Sequence, residues 1–175
     1  MKSPMLATAL RFTLREEGGF VDDPADHGGA TNHGITQATY DAWRARQQLP
    51  QQDVRLISGA EVQGIYGQMY WIPGHCDALS PALSVCHLDW CVNHGVRGAV
   101  MTLQQALGIT ADGDFGPGTA AAVAAKDTGL FWQGYNTLRR DWYQARVKAE
   151  PDQARFLKGW LARVDRLDAY VEGLK

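Results

Sequence analysis

Apolar residues recur at helical spacing along most of this chain, and runs that alternate apolar with polar positions are scarce. Residues 3–17 carry Leu6, Leu10 and Leu14 at i, i+4 and i+8, which predicts a first helix. Ser3-Pro4 suits its start as N-cap and first-turn residue, and Gly18-Gly19 suits its end, because glycine takes up the left-handed conformation that closes helices. Further helices are expected over 37–48, 58–71, 80–94, 98–107, 117–127, 130–148 and 151–172. Ser58 and Glu61 form a capping-box pattern, Pro73-Gly74 interrupts the chain, Gly108–Pro117 reads as turn, and Pro151 with Asp152 suits a first helical turn. Residues 20–36, FVDDPADHGGATNHGIT, are rich in Gly, Asp and Asn and read as loop, with Ala30–Thr36 able to form a short hairpin. The fold expected is mainly α, with a short β-hairpin and a helical C-terminal lobe.

No Ser/Pro/Gly-rich linker and no repeat divides the 175 residues, which suffice for one compact domain or two small lobes sharing a core. A soft boundary is placed near residue 95, giving lobes 1–95 and 96–175 packed on each other. No run of 18 apolar residues indicates a transmembrane helix. The opening MKSPMLATALRFTLREEGGF has the outline of a signal peptide, but Arg11 and Arg15 interrupt it and two glutamates follow. The protein is therefore expected to be made in the cytoplasm without a signal peptide, and to reach a target beyond the membrane by another route, a holin among them.

Net charge is −2, with 8 Lys/Arg against 13 Asp/Glu in residues 1–129 and 9 against 6 in residues 130–175. Neither balance points to nucleic acid. Cys76, Cys86 and Cys91 are odd in number, which argues against a disulfide framework. His87, Cys91 and His94 would share one helix face, with Cys76 or His75 as a fourth ligand, but no CxxC or HExxH spacing accompanies them. Packing is the reading adopted for these residues, with no metal site assigned.

The chemistry concentrates at the end of the first helix. At 100° per residue, Glu17 falls within the arc of about 80° spanned by Leu6, Leu10 and Leu14, whereas Glu16 points about 100° away and is expected in solvent. An acid ending an apolar stripe needs a purpose or a partner, and Arg11, Arg15 or another basic group would supply the latter. Burial beside the negative end of a helix dipole is the setting in which a carboxyl serves as general acid in glycoside hydrolysis. Asp22, Asp23 and Asp26 follow within nine residues, then Thr31 and Thr36. A second carboxylate can hold a water or steady an oxocarbenium ion, and a hydroxyl can position that water. Asp22 and Asp23 serve equally as turn caps before Pro24, and a calcium loop lacks its ligand pattern.

Glu17-Gly18-Gly19-Phe20, followed by Asp26-x-Gly28-Gly29-x-Thr31-Asn32-x-Gly34-Ile35-Thr36, closely resembles the signature of glycoside hydrolase family 108, N-acetylmuramidases of phage endolysins and bacterial secretion systems. The resemblance continues through Tyr70-Trp71 and Asp89-x-x-Val92-Asn93-x-Gly95. The second lobe resembles the peptidoglycan-binding module that usually follows, through Leu103–Gly108, Asp112–Thr119 and Phe156-x-x-Gly159-Trp160-x-x-Arg163-Val164. This resemblance implies a lysozyme-like fold, no cofactor, and Glu17 as catalytic residue, with Asp26 and Thr31 in the roles of the aspartate and threonine of phage lysozymes. Asp22 and Asp23 compete with Asp26 for that role, and Thr36 with Thr31.

Tyr70 and Trp71 can stack on sugar rings or fill the core. Asn32 and Asn93 can hydrogen-bond acetamido groups, and Thr36 joins them as a candidate substrate contact. Trp132, Trp142 and Trp160 read as packing. The function expected is cleavage of the β-1,4 bond between N-acetylmuramic acid and N-acetylglucosamine in peptidoglycan, in the manner of a phage-type endolysin. A lytic transglycosylase and a non-catalytic wall-binding or assembly protein are the alternatives.

Overall fold

The computed structural model describes residues 4–22 and 29–174. Its chain order is α1 (Pro4–Glu17), β1 (Thr31–Asn32), β2 (Ile35–Thr36), α2 (Gln37–Arg46), α3 (Gly59–Tyr66), α4 (Pro81–His94), α5 (Val96–Leu107), α6 (Pro117–Lys126), α7 (Phe131–Ala149) and α8 (Ala154–Glu172). The strands pair antiparallel with Thr31 opposite Thr36 and Asn32 opposite Ile35. His33 and Gly34 form the connecting turn, both at positive φ (52° and 72°), the two-residue geometry whose twist matches a hairpin.

The helices expected from periodicity are present, with three local departures. The stretch 58–71 is capped by Ser58 and Glu61 as foreseen, but α3 ends at Tyr66 and one wider π turn, Gly67–Trp71, continues it. Helix α5 starts at Val96, so only Gly95, at φ 79°, separates it from α4. Pro151–Gln153 form a tight 3-10 turn ahead of α8. Ser3, expected to cap α1, lies outside the described residues.

Helix α4 is the axis of the molecule. Nine successive residues, Leu83 to Cys91, are buried, as in a helix surrounded by others. It packs against α1, α5, α7 and α8. The hydrophobic core therefore runs unbroken across residue 95, from Leu6, Leu10 and Phe12 through Leu83 and Trp90 to Tyr135, Val164 and Leu167. Polar contacts cross the same line: Tyr170 donates to the Thr8 carbonyl at 2.8 Å, and Ser80 donates from its N–H and hydroxyl to Asp127 at 2.6 and 2.8 Å.

A chain ending at Gly95 strips α4 of three of its neighbours. Such a fragment is expected to be insoluble or to melt broadly at low temperature. The intact chain is expected to give one calorimetric transition. A soluble, cooperatively melting fragment 1–95 would overturn this.

Candidate active site

Helix α1 buries Leu6, Ala9, Leu10, Phe12 and Thr13. The buried face turns polar in its last turn, where Thr13 is followed one turn later by Glu17. The Glu17 side chain keeps 23% of its surface exposed, and Arg163 Nη2 of α8 donates to its Oε1 at 2.8 Å. Of the partners weighed for Glu17, Arg11, Arg15 or another basic group, it is another that holds it, Arg163 of α8.

Arg163 is itself pinned. Its Nη2 and Nε donate to Asp89 of α4, at 2.8 Å and at 3.3 and 3.4 Å. Asp89 is wholly buried and also accepts from Arg139 Nη2 of α7 at 2.8 Å, both side chains at 0% exposure. Burial alone raises the Asp89 carboxyl, but the charges of Arg139 and then Arg163 outweigh it and hold it below its ordinary range. Two carboxylates and two guanidiniums thus form one chain, Glu17–Arg163–Asp89–Arg139, with Glu17 at its open end. Glu16 is not free in solvent either, since Arg166 of α8 pairs with it and, aided by that hydrogen bond, lowers its acidity range.

The other side of Glu17 faces the hairpin. A Cβ on Gly34 would lie 2.8 Å from the Tyr66 hydroxyl and 3.2 Å from Glu17 Oε2. The Tyr66 hydroxyl donates to the His33 carbonyl at 2.7 Å and so ties α3 to the turn. Burial and then the Glu17 charge push the Tyr66 phenol above its ordinary range, and the same two causes act in the same order on Tyr70. Gly34 is required twice over, for its positive φ and for this approach. Gly34→Ala is expected to lower the rate on peptidoglycan at least ~10-fold, because the added methyl forces the Tyr66 hydroxyl and Glu17 Oε2 to give way and small misplacements of a reacting group are costly. A reducing-end assay checks it, and an unchanged rate would show that the turn does not position the carboxyl.

The family model described as Glycosyl hydrolase 108 matches residues 10–95, and one described as Predicted Peptidoglycan domain matches residues 98–165. The structure of Brucella abortus SagA is similar at 32% sequence identity, over 96% of this chain and 94% of that one, with a TM-score of 0.75. The chain belongs to the glycosyl hydrolase 108 family. No curated protein matches it. It is a glycoside hydrolase acting on peptidoglycan, with a peptidoglycan-binding region, and the Glu17–Arg163 pair joins the two matched segments.

Within this hydrolase the remaining candidates scatter. Thr31 lies on β1, its hydroxyl donating to the Gly29 carbonyl at 3.2 Å, and two backbone hydrogen bonds of 2.8 Å tie it to Val21. Asp22 is exposed and 3.8 Å from Arg55. Asp23 and Asp26 lie outside the described residues. Three candidate substrate contacts have partners within the protein or lie in its core. Asn32 is buried and spends its amide on the carbonyls of Val54 and Arg55. Thr36 caps α2, accepting from the Thr39 N–H at 3.2 Å. Trp71, 2% exposed, belongs to the core and offers no ring face to a sugar.

Tyr70, half-buried and 5.6 Å from the Tyr66 ring, remains beside Glu17. Asn93 is exposed one turn beyond Asp89, its Nδ2 donating to the Asp89 carbonyl at 2.7 Å. Of the metal candidates, Cys76, His87 and Cys91 come together, all buried. His94 instead stacks on Trp90 at 4.5 Å. His87 engages both ring nitrogens, with the Tyr135 hydroxyl at 2.8 Å and the Gly74 carbonyl at 3.1 Å. His87 is thus satisfied within the protein, and burial pushes the Cys76 thiol well up.

Arg139 and Tyr66 carry no signal that singles them out among similar residues in the sequence, and Arg163 carries only its place in the Phe156–Val164 stretch that resembles the peptidoglycan-binding module. Asp89 did carry one: it is an acid inside the apolar run Val85–Val92, which is costly without partners.

Proposed function

We propose that this peptidoglycan hydrolase cleaves the β-1,4 bond between N-acetylmuramic acid and N-acetylglucosamine, with Glu17 as general acid. The supporting observation is the placement of Glu17: one carboxyl oxygen is held by Arg163, and the other lies at the Gly34 turn beside Tyr66. Arg163 is anchored by Asp89, so it orients the carboxyl without being free to follow it. Oε2 is then the oxygen that delivers a proton to the glycosidic oxygen. As the bond from C1 to that oxygen breaks, positive charge develops on the sugar, and water adds to C1, releasing the proton that makes good the one Glu17 gave. Asp26 and Thr31 are assigned to steadying that charge and orienting the water. Tyr70 is the aromatic contact for the sugar ring beside Glu17.

Product analysis tests this reading. Digested sacculi reduced with borohydride are expected to yield muramitol ends by mass spectrometry. Anhydro-muramic ends would make the protein a lytic transglycosylase, and reducing N-acetylglucosamine ends a glucosaminidase. Either result overturns the proposal.

A further inference from the structure

A second cluster of chemistry lies one helical turn from the Glu17 network on three helices at once. Asn93 follows Asp89 by four residues on α4, Tyr143 follows Arg139 by four on α7, and Trp160 precedes Arg163 by three on α8. Each step is roughly one helical pitch, about 5.4 Å, close to the length of one sugar unit. At that level the helices part into an open cleft of about 320 Å³ lined by Asn93, His94, Trp142, Arg146, Gln153 and Trp160, of the size that holds small ligands.

The lining has the composition of a saccharide site. Trp142 and Trp160 are half-buried and held by other rings: Trp160 stacks on Tyr143 at 5.0 Å, and Trp142 meets Trp90 edge-on at 5.4 Å. Trp160 also stacks on Phe156 at 5.8 Å and Trp142 meets His94 edge-on at 4.1 Å, yet both indoles stay half-exposed and line the cleft. Burial, and then Arg146 and Arg139, lower the His94 range and keep the ring neutral. The fixed charge at the cleft is Arg146, whose guanidinium lies 5.4 Å from the Trp142 ring centre. Its salt bridge to Glu150, at 3.1 Å, is between half-exposed groups and is of the weak kind that a ligand can replace. Most of these residues fall within the segment matched by the peptidoglycan-domain model.

We propose that this cleft is a glycan subsite continuous with Glu17, in which Trp142 and Trp160 receive an N-acetylated aminosugar and Arg146 binds the lactyl carboxylate of a muramyl residue. The inference rests on Glu17 marking the point of cleavage. The second lobe then does more than buttress the first, because it supplies one wall of the groove in which the strand lies.

Binding by the full-length chain carrying Glu17→Gln tests the subsite. The probes are a peptide-free tetrasaccharide of alternating N-acetylglucosamine and N-acetylmuramic acid, and chitotetraose, which lacks the carboxylate. Trp142→Ala and Trp160→Ala are each expected to raise Kd for both sugars about fivefold or more. Arg146→Gln is expected to raise it for the muramyl sugar alone. Reducing ends appearing during the titration would show that Glu17 is not the acid, while Kd still reports on the cleft. Tryptophan variants that melt like the parent and bind like it overturn the subsite. Should both fail to fold, Asn93→Ala and Arg146→Gln carry the test at exposed or half-exposed positions. Unchanged affinity for the muramyl sugar in both of them, or no measurable affinity in the parent, likewise overturns it.

Discussion

Glu17→Gln is expected to slow the release of reducing ends from purified sacculi by at least ~100-fold, the usual worth of a general acid. Glutamine keeps the shape of the side chain, and its carbonyl can still accept from Arg163 Nη2, which now holds Oε1 at 2.8 Å. What is lost is the proton that must reach the leaving oxygen. The melting temperature should stay close to that of the parent, because Asp89 continues to hold Arg163. Glu16→Gln is the informative companion. It weakens the pair with Arg166, in which the Glu16 side chain is 9% and the Arg166 side chain 50% exposed, and leaves the Glu17–Arg163 contact in place. Its effect on rate should be small. A parental rate in Glu17→Gln would remove Glu17 from the chemistry.

Asp89→Ala is expected to be far more damaging to stability. It leaves Arg139 charged at 0% exposure and takes away the anchor of Arg163. Breaking a buried pair by removing one partner costs about 3–5 kcal/mol, a fall of roughly 6–20 °C in Tm for a protein of this size. The double variant Asp89→Leu with Arg139→Met separates two roles. Replacing the whole pair by apolar groups is expected to recover most of the stability. It is not expected to recover the rate, since Arg163 would still lack the carboxylate that aims it at Glu17. A Tm within 2 °C of the parent for Asp89→Ala, or full activity in the double variant, would refute this division.

Much of the architecture was readable from periodicity because each helix announces its own buried face. Leu6, Leu10 and Leu14 mark α1, and Ser58 with Glu61 marks the start of α3. Glu17 was readable for the same reason, being one helical repeat from those leucines. Its partners were not, because an ion pair between residues 17 and 163 leaves no periodic trace in either segment. Asn32 and Trp71 stayed open between ligand contact and interior for a related reason. An amide or an indole is equally suited to a ligand and to an interior, and only tertiary burial chooses between them. Trp142 and Trp160 show the converse, since helical spacing marks them as packing while the parting of α4, α7 and α8 leaves them half open.

The 146 residues that separate Glu17 from Arg163 also set an order of events during synthesis. Glu17 is made well before Arg163. Contacts so distant along the chain form late, after the entropy of closing the intervening loop has been overcome. A nascent chain therefore carries Glu17 before the arginine that holds it exists. The acid proposed here is aimed only when α8 has been released and docked against α1 and α4, so a chain halted before α8 would carry the carboxyl without its orienting partner.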